Sequence, residues 1–523
     1  NLSNFGDTDI FPFPFETRMF PEVQDELINS LTETHNSLKK HLNDVPPENV
    51  STCSTIGYTG YRWATQIDQY WNIYFLGLIL FIGDKIESAR LDRNYVYSYR
   101  YKPNITQGSL FDYETNWIKF QEDSLHLTTT DDSINFIINC DIADFYTRIY
   151  HHRLENELDH IDKSASTNIK KLIQKFSNTH SYGLPVGGPA SRILAELALN
   201  QTDKFLQSKN IKFKRYVDDF IIFCQTKEEA HTTLTLLSKT LMENEGLTLQ
   251  KYKTSIMSKD EFSSLTQAKL NGVNEDDDSP LKAKFMKLPI RFDPYSQNAE
   301  KQYDSIKESL KEFDLLGMLT SELQKSKINQ TFSKQLIRAL SSTDDKTLSN
   351  AFTVIFTNIV ELFPIFPRII QVATTNWLRF DNETKTFIRE KLVELFKNNS
   401  FILKTEINLA YLVKLISKDK SLENEQFLTS IYDKNTESAL ITSMVTQSMT
   451  KFQSTHWLRT LKSKFHSMNK RQKRIYIVAS YCIGDDEGKH WRNHNRDSFN
   501  FIEKLYSEWA AKRKQSCNLE DAL

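Results

Sequence analysis

With 523 residues the chain exceeds one ordinary core, so two or three domains are expected. Apolar residues make up 39% and aromatics 12%, which excludes a low-complexity disordered chain, and no apolar run approaches the roughly 20 residues that span a bilayer. A formal net charge of −1 does not mark the chain as a nucleic-acid binder, so any such contact must come from local patches.

In chain order, the first long apolar run is Ile73 to Gly83, which ends in Asp84 and reads as a buried helix. Phe136 to Cys140 is a mostly apolar strand that delivers Asp141 at its end, and Ile142 to Leu158 reads as a turn into a helix. Phe213 to Tyr216 and Phe220 to Cys224 are two short strands, with Val217, Asp218 and Asp219 between them at a tight hairpin tip. Two carboxylates at a hairpin tip repel unless positive charge sits there, and divalent cations would supply it. From Asn271 to Pro280 a turn-rich acidic stretch reads as the start of a linker over 271–300. Beyond Pro294 the pattern is helical. Tyr303, Ile306, Leu310 and Phe313 recur at helical spacing, as do Phe332, Leu336, Ile337 and Leu340. Leu392, Leu395 and Phe396 continue it, then Leu409, Leu412, Val413 and Ile416. Helices of about 12–18 residues in succession suggest a HEAT-like stack, with an irregular bundle as the alternative.

Two basic patches stand out. Lys204, Lys209, Lys212, Lys214 and Arg215 lead into the Asp218 hairpin. From Ser438 to Gly484 there is no acidic residue, while Lys451, Arg459, Lys462, Lys464, Lys470, Arg471, Lys473 and Arg474 accumulate. Lys212, Lys214, Lys462, Lys464, Lys470, Arg471, Lys473 and Arg474 are the nucleic-acid-binding candidates, and a solvated basic helix face is the alternative. Trp457 and Trp491 could stack bases or pack in a core. His151 and His152 read as a helix-face pair. Cys53, Cys140, Cys224, Cys482 and Cys517 form no CxxC pair, which argues for a reducing compartment and against structural zinc. No secretory signal pattern is visible from Asn1 onward, so a cytoplasmic location is expected.

Two-metal phosphoryl transfer needs carboxylates that hold two hard cations about 3.5–4 Å apart. Asp141, Asp218 and Asp219 fit that need if their strands are neighbours. Asp131-Asp132 and Asp485-Asp486 are also pairs, but they lack a buried strand beside them and are expected to face solvent.

The segment from Cys140 to Tyr146 resembles reverse-transcriptase motif A, and Gly183 to Ser191 resembles motif B. Tyr216-Val217-Asp218-Asp219-Phe220 resembles motif C, and Gly246 to Gln250 with Lys253-Thr254 resembles motif D. The YxDD form of motif C favours this family over RNA-dependent RNA polymerases. Thr8 to Pro12, Tyr97 to Arg100, Asp144 to His152, Ser191 to Glu196 and Arg291 to Ser296 are similar to the bacterial abortive-infection and defence-associated reverse transcriptases of the unknown-group type. The chain departs from retron and intron enzymes at Val186, where those carry Gln, and it lacks an obvious primer grip after motif D.

The resemblance implies an α+β fold with an N-terminal segment and fingers over 1–130 and a palm over 131–270. The linker at 271–300 and an all-α, HEAT-like domain over 301–523 in place of a thumb follow. It implies Asp141, Asp218 and Asp219 as catalytic residues, with the Ile142 main chain joining them as metal ligands for two Mg²⁺ ions per site, or Mn²⁺. Arg100, Asp144, Phe145, Tyr146, Gly187 and Lys253 are the implied dNTP-binding residues. Tyr146 is the steric gate against a ribose 2′-hydroxyl, Arg100 a triphosphate grip and Lys253 a proton donor to pyrophosphate. Gly187 and Gly188 allow close backbone approach.

The implied function is antiphage DNA synthesis, either protein-primed and untemplated or templated by a dedicated noncoding RNA. The implied partners are dNTPs, a DNA product that can be covalently attached, a noncoding RNA, and further copies of the chain in a trimer or hexamer, with no membrane. A templated enzyme of retron or mobile-element type and a catalytically silent helical scaffold are the competing readings.

Overall fold

In the computed structural model, the described residues are 1–177, 180–271, 280–286, 288, 309–310, 312–325, 327–516, 519 and 523. Residue contacts divide the chain into two units. One comprises Asn1, 3–8 and 71–287, and the other comprises Leu2, 9–70 and 288–523.

The first unit is mixed α+β. Numbering strands along the whole chain, β1 (Val50–Ile56) and β2 (Gly60–Gln66) fall in the second unit. The first unit holds β3 (Tyr101–Asn104), β4 (Ser109–Phe111), β5 (Phe136–Asp141), β6 (Lys212–Tyr216), β7 (Asp219–Cys224) and β8 (Ser255–Ser258). A four-stranded antiparallel sheet runs in the order β6-β7-β5-β8. The apolar runs that mark β5 and β7 in the sequence are its two central strands. Ile137 and Ile138 are both fully buried although they point to opposite faces, so the sheet is covered on both sides. Tyr97, Phe120, Ile134, Ile221, Phe223, Met257 and Phe262 join Ile137 in one core cluster.

Helix Gln69–Ala89 contains the long apolar run, as expected of a buried helix. No helix among the described residues is long and apolar enough to cross a membrane. The stretch after Asp141 forms a short helix at Phe145–Arg148, then a longer one at His151–Ile161.

The second unit carries the helical half. Helices Phe366–Thr375, Glu406–Ile416, Ala439–Lys451, Lys470–Ala479 and Phe501–Ser516 pack in succession as one layer. Asp345–Thr357 packs on Asn382–Lys397, and Leu422–Lys434 on Ala439–Lys451. Contacts between next-but-one helices are those of an α-solenoid. Local sequence sets the repeat: Asp344, Asp381, Ser421, Ser438 and Asn469 each cap a helix by accepting a main-chain N–H. The apolar positions Phe332, Leu336, Ile337, Leu340, Leu392, Leu409, Leu412, Val413 and Ile416 are all buried. Leu310 and Phe313 are buried too, while Tyr303 and Ile306 lie outside the described residues.

Two boundaries differ from the expectation. Residues 9–70 group with the helical unit rather than with the fingers. Here the Tyr506 hydroxyl donates to Glu16 at 2.8 Å, Trp509 Nε1 donates to Glu22 at 2.8 Å, and Phe15 packs on both rings. Within the expected linker a short helix stands at Pro280–Met286. Most of the rest of 271–300, including Arg291 to Ser296, lies outside the described residues.

Candidate active site

Antiparallel pairing of β5 with β7 places Asp141 directly opposite Asp219. The Ile142 amide donates to the Asp218 carbonyl at 3.1 Å, which brings the tip of the hairpin alongside the end of β5. The stretch resembling motif D lies on the other side. The Gln250 amide donates to the Asp141 carbonyl at 2.7 Å, and the Ala143 amide to the Thr248 carbonyl at 2.8 Å. Lys253 is thereby carried to Asp141, and its ammonium forms an ion pair with Asp141 Oδ2.

The cluster is electrostatically unfavourable as it stands. Burial first, then repulsion from Asp141 and Asp219, pushes the Asp218 carboxyl up to about 7. Burial and Asp141 push Asp219 up to about 6, against the pull of Lys253 and Lys269. The Asp141 hydrogen bond raises Lys253 above its ordinary value. Three neighbouring carboxylates with two held partly protonated near neutral pH fit a donor set for hard divalent cations. Among the described residues no group of three or more His, Cys, Asp or Glu stands preassembled as a metal cage, and Asp141 is turned to Lys253 instead.

The hairpin tip is held in a costly conformation. Val217 has φ +58°, a left-handed backbone that β-branched residues rarely adopt. Its amide donates to the Ser98 hydroxyl at 2.8 Å and its carbonyl accepts from Arg215 Nη1 at 2.7 Å. Arg215 is fully buried and forks onto Asp203 at 2.8 and 2.5 Å, with Glu196 at 3.1 Å. Glu196 also takes Arg90 at 2.8 Å and the Ser98 hydroxyl at 2.5 Å. Two arginines, two carboxylates and one serine thus form a buried network behind the tip, which continues through Arg90 to Glu87. In the sequence Arg215 read only as part of a basic patch, Ser98 and Glu196 only as members of family-like segments, and Arg90 and Asp203 carried no role. The available signal was a strand arginine, Arg215, beside apolar runs that imply burial.

Tyr146 follows Asp141 on the short helix. Its hydroxyl is buried with no hydrogen-bond partner among the described residues, and its ring meets Phe145 at 5.5 Å. Burial holds its pKa well above the ordinary value, and Tyr99, Glu196 and Asp218 add to the shift while Arg192 opposes it. Phe145 is buried, and Asp144 is exposed with φ +50°, its carbonyl accepting from the Thr147 and Arg148 amides. The loop resembling motif B is pinned to this helix. The Leu184 amide donates to the Tyr146 carbonyl at 2.8 Å, and His151 Nε2 meets the Gly183 carbonyl at 2.8 Å. Gly187 has φ +116°, a backbone that requires glycine, and Gly188 precedes helix Pro189–Ala198. His151 is therefore a loop anchor rather than half of a surface pair.

Other candidates are engaged elsewhere. Arg100 is buried against Glu87 at 2.6 Å and donates to the Leu91 and Val96 carbonyls, the ion pair that a buried guanidinium needs. Lys212 pairs with Asp131 at 2.7 Å, and Lys214 donates to the Asn94 carbonyl and the Tyr97 hydroxyl. Arg474 is buried on Asp68 at 2.8 Å, while Arg471 holds the carbonyls of Glu48 and Gln66 and the Gln66 side chain. Lys470 donates to the Pro46 carbonyl, Lys473 lies over Phe465, and Lys462 pairs with Glu487. Lys464 is exposed. Trp491 packs in the core on Phe465 and Tyr476, and Trp457 packs on Tyr432.

Residues 88–317 match the family described as Reverse transcriptase (RNA-dependent DNA polymerase). This part of the chain is a reverse-transcriptase domain, which supports RNA-directed DNA polymerase activity. No curated protein matches the chain. Solved structures with similarity include apo telomerase from Candida tropicalis, at 12% identity and TM-score 0.31 over 80% of this chain and 71% of that one. Telomerase from Candida albicans with a fragment of telomeric RNA matches at 12% identity and TM-score 0.30, over 74% and 69%. Truncated apo telomerase from Candida tropicalis matches at 12% identity and TM-score 0.30 over 40% of this chain, which spans 52% of that structure's length.

Proposed function

We propose that this chain is an antiphage-defence reverse transcriptase that makes DNA from dNTPs by two-metal nucleotidyl transfer. The observation that carries the polymerase reading is Asp141 opposite Asp219, with Asp218 beside them and two of the three carboxyls pushed toward neutrality by burial and by repulsion from their neighbours. The ligands are Asp141, Asp218, Asp219 and the Ile142 carbonyl. Bound Mg²⁺ or Mn²⁺ supplies an activated 3′-hydroxyl, or its protein equivalent, and a stabilised pyrophosphate. Lys253 Nζ, already at Asp141, is the proton source for the departing pyrophosphate. The Tyr146 ring, beside Asp218, excludes a 2′-hydroxyl, and Gly187 lets the main chain approach the nucleotide.

The defence role is supported by the resemblance of the segments around Thr8, Tyr97, Asp144 and Ser191 to the abortive-infection group, and by a helical stack in place of a thumb. Priming is from the protein itself or on a noncoding RNA, and the working form is a homo-oligomer in the bacterial cytoplasm.

The test is to supply the purified full chain with labelled dNTPs and Mg²⁺, then extract with phenol before and after protease. Label released into the aqueous phase only after protease indicates protein priming. Label that depends on one co-purified RNA indicates a template. No incorporation by the wild type, or equal incorporation by an Asp218→Asn, Asp219→Asn double variant, overturns the polymerase reading. Cells no better protected from phage by the wild type than by that variant overturn the defence reading.

A further inference from the structure

The left-handed backbone at Val217 needs a holder, and the chain supplies one from outside the hairpin. The segment 95–97 runs parallel to β6: the Arg215 amide donates to the Tyr95 carbonyl at 2.7 Å, and the Tyr97 amide donates to the Arg215 carbonyl at 3.0 Å. This pairing carries Ser98, the next residue, alongside the hairpin tip. Ser98 is fully buried. Its hydroxyl accepts from the Val217 amide at 2.8 Å and donates to Glu196 Oε1 at 2.5 Å. The single proton of the hydroxyl is spent on Glu196, which fixes its lone pairs toward Val217.

The serine backbone is fixed as well. Arg90 Nη2 donates to the Ser98 carbonyl at 2.7 Å and to Glu196 at 2.8 Å, while Nη1 donates to the Tyr99 carbonyl at 3.1 Å. Tyr99 has φ +45°, a second costly backbone held by the same arginine. Past Val217 the Asp218 carbonyl accepts from the Ile142 amide at 3.1 Å, and Asp219 stands opposite Asp141. A valine left to itself returns to negative φ. That rotation turns the peptide between Val217 and Asp218 away from Ile142 and takes both carboxylates with it.

We infer that Ser98 is a positioning residue for divalent-cation binding: its hydroxyl holds Val217 left-handed and so keeps Asp218 and Asp219 aimed, with Asp141, at the same cations. The inference rests on the two-metal reading of these aspartates. Arg215 holds the Val217 carbonyl from the other side, but it also supports the fold through Asp203. The Ser98 hydroxyl is the point at which the tip can be released with the arginine network left in place. A serine that only satisfied buried hydrogen bonds would contribute stability and leave cation affinity unaffected.

The test is Mn²⁺ binding by the full chain, read as loss of the free-ion EPR signal at a temperature where circular dichroism shows each variant folded. Binding that disappears in the Asp218→Asn, Asp219→Asn double variant belongs to the site. Ser98→Ala is expected to raise the Kd of that binding about tenfold, the order of the penalty on a left-handed valine. In a Val217→Gly background the same change should cost about threefold or less, because glycine takes positive φ about as readily as negative. If Ser98→Ala does not fold, Ser98→Cys takes its place; it nearly keeps the volume, offers a weaker acceptor, and should raise the Kd about threefold or more. An equal Kd in wild type and the Ser98 variants overturns the inference and leaves the polymerase reading standing. So does an equal loss with valine and with glycine at 217. No site-specific Mn²⁺ binding by the wild type overturns both.

Discussion

Two runs of like charge, the aspartates at 141, 218 and 219 and the basic residues at 470–474, look equally functional in the sequence and resolve in opposite ways. The basic run finds partners about 400 residues away: Arg474 on Asp68, Arg471 on Glu48 and Gln66, Lys470 on Pro46. Among the described residues the aspartates find only Lys253 in an ion pair, with Asp141, and burial and mutual repulsion shift the Asp218 and Asp219 carboxyls toward the neutral form. Charge that folding balances is architecture. Charge that folding leaves unbalanced, at a cost in stability, marks a place where something else binds.

The largest expected effect is on the aspartates. Asp141→Asn, Asp218→Asn or Asp219→Asn should each lower dNTP incorporation roughly a thousandfold or more, since metal stabilisation is worth several kcal/mol and each 1.4 kcal/mol or so is tenfold. Next come the buried clamps. Arg215→Met leaves the buried Asp203 without its arginine, leaves Glu196 with Arg90 alone and frees the Val217 carbonyl, so denaturant unfolding should show a loss of about 3–5 kcal/mol. Arg474→Met should cost a similar about 3–5 kcal/mol through Asp68, and an Arg474→Met, Asp68→Leu double variant should recover most of it. If Arg474→Met instead left stability intact and reduced the salt dependence of DNA binding, the contrast between the two runs would fail.

Smaller effects sharpen it. Tyr146→Ala should raise ribonucleotide incorporation relative to deoxynucleotide by about tenfold to a hundredfold, read from kcat/KM ratios; an unchanged ratio removes the gate. The pH dependence of metal-free stability has a definite sign. Asp218 and Asp219 have folded-state values near 7 and 6, above the ordinary carboxyl value, so the folded state binds protons more tightly than the unfolded one. Their contribution is favourable below about pH 4 and is lost as pH rises through 6 and 7. In EDTA, Asp218→Asn should therefore melt close to wild type at pH 4 and above it at pH 8, by about 2–4 °C for each kcal/mol of repulsion removed.

Much of the palm was legible because its signals are local. An apolar run that ends in Asp141, and a second that begins after Asp218-Asp219, locate the strands and their carboxylates within one or two residues. The caps at Asp344, Asp381, Ser421, Ser438 and Asn469 are local too, and so the helical half was readable as helices. What stayed hidden is long-range pairing. Nothing near Arg215 names Asp203 and Glu196 as its partners, and nothing near Arg474 names Asp68. Residues 9–70 precede the fingers in sequence but bury Phe15, Met19 and Phe20, with Phe15 and Phe20 packing on Tyr506 of the last helix. Arg100 lay in an aromatic setting that suits a phosphate grip, and its partner Glu87 sits thirteen residues earlier on the preceding helix.

The most direct test is the rate of labelled dNTP incorporation by purified wild type, Asp218→Asn and Lys473→Ala proteins, side by side with Mg²⁺. The expected result is wild type and Lys473→Ala equal within about twofold, with Asp218→Asn at background. Incorporation that survives Asp218→Asn and falls with Lys473→Ala would contradict the account.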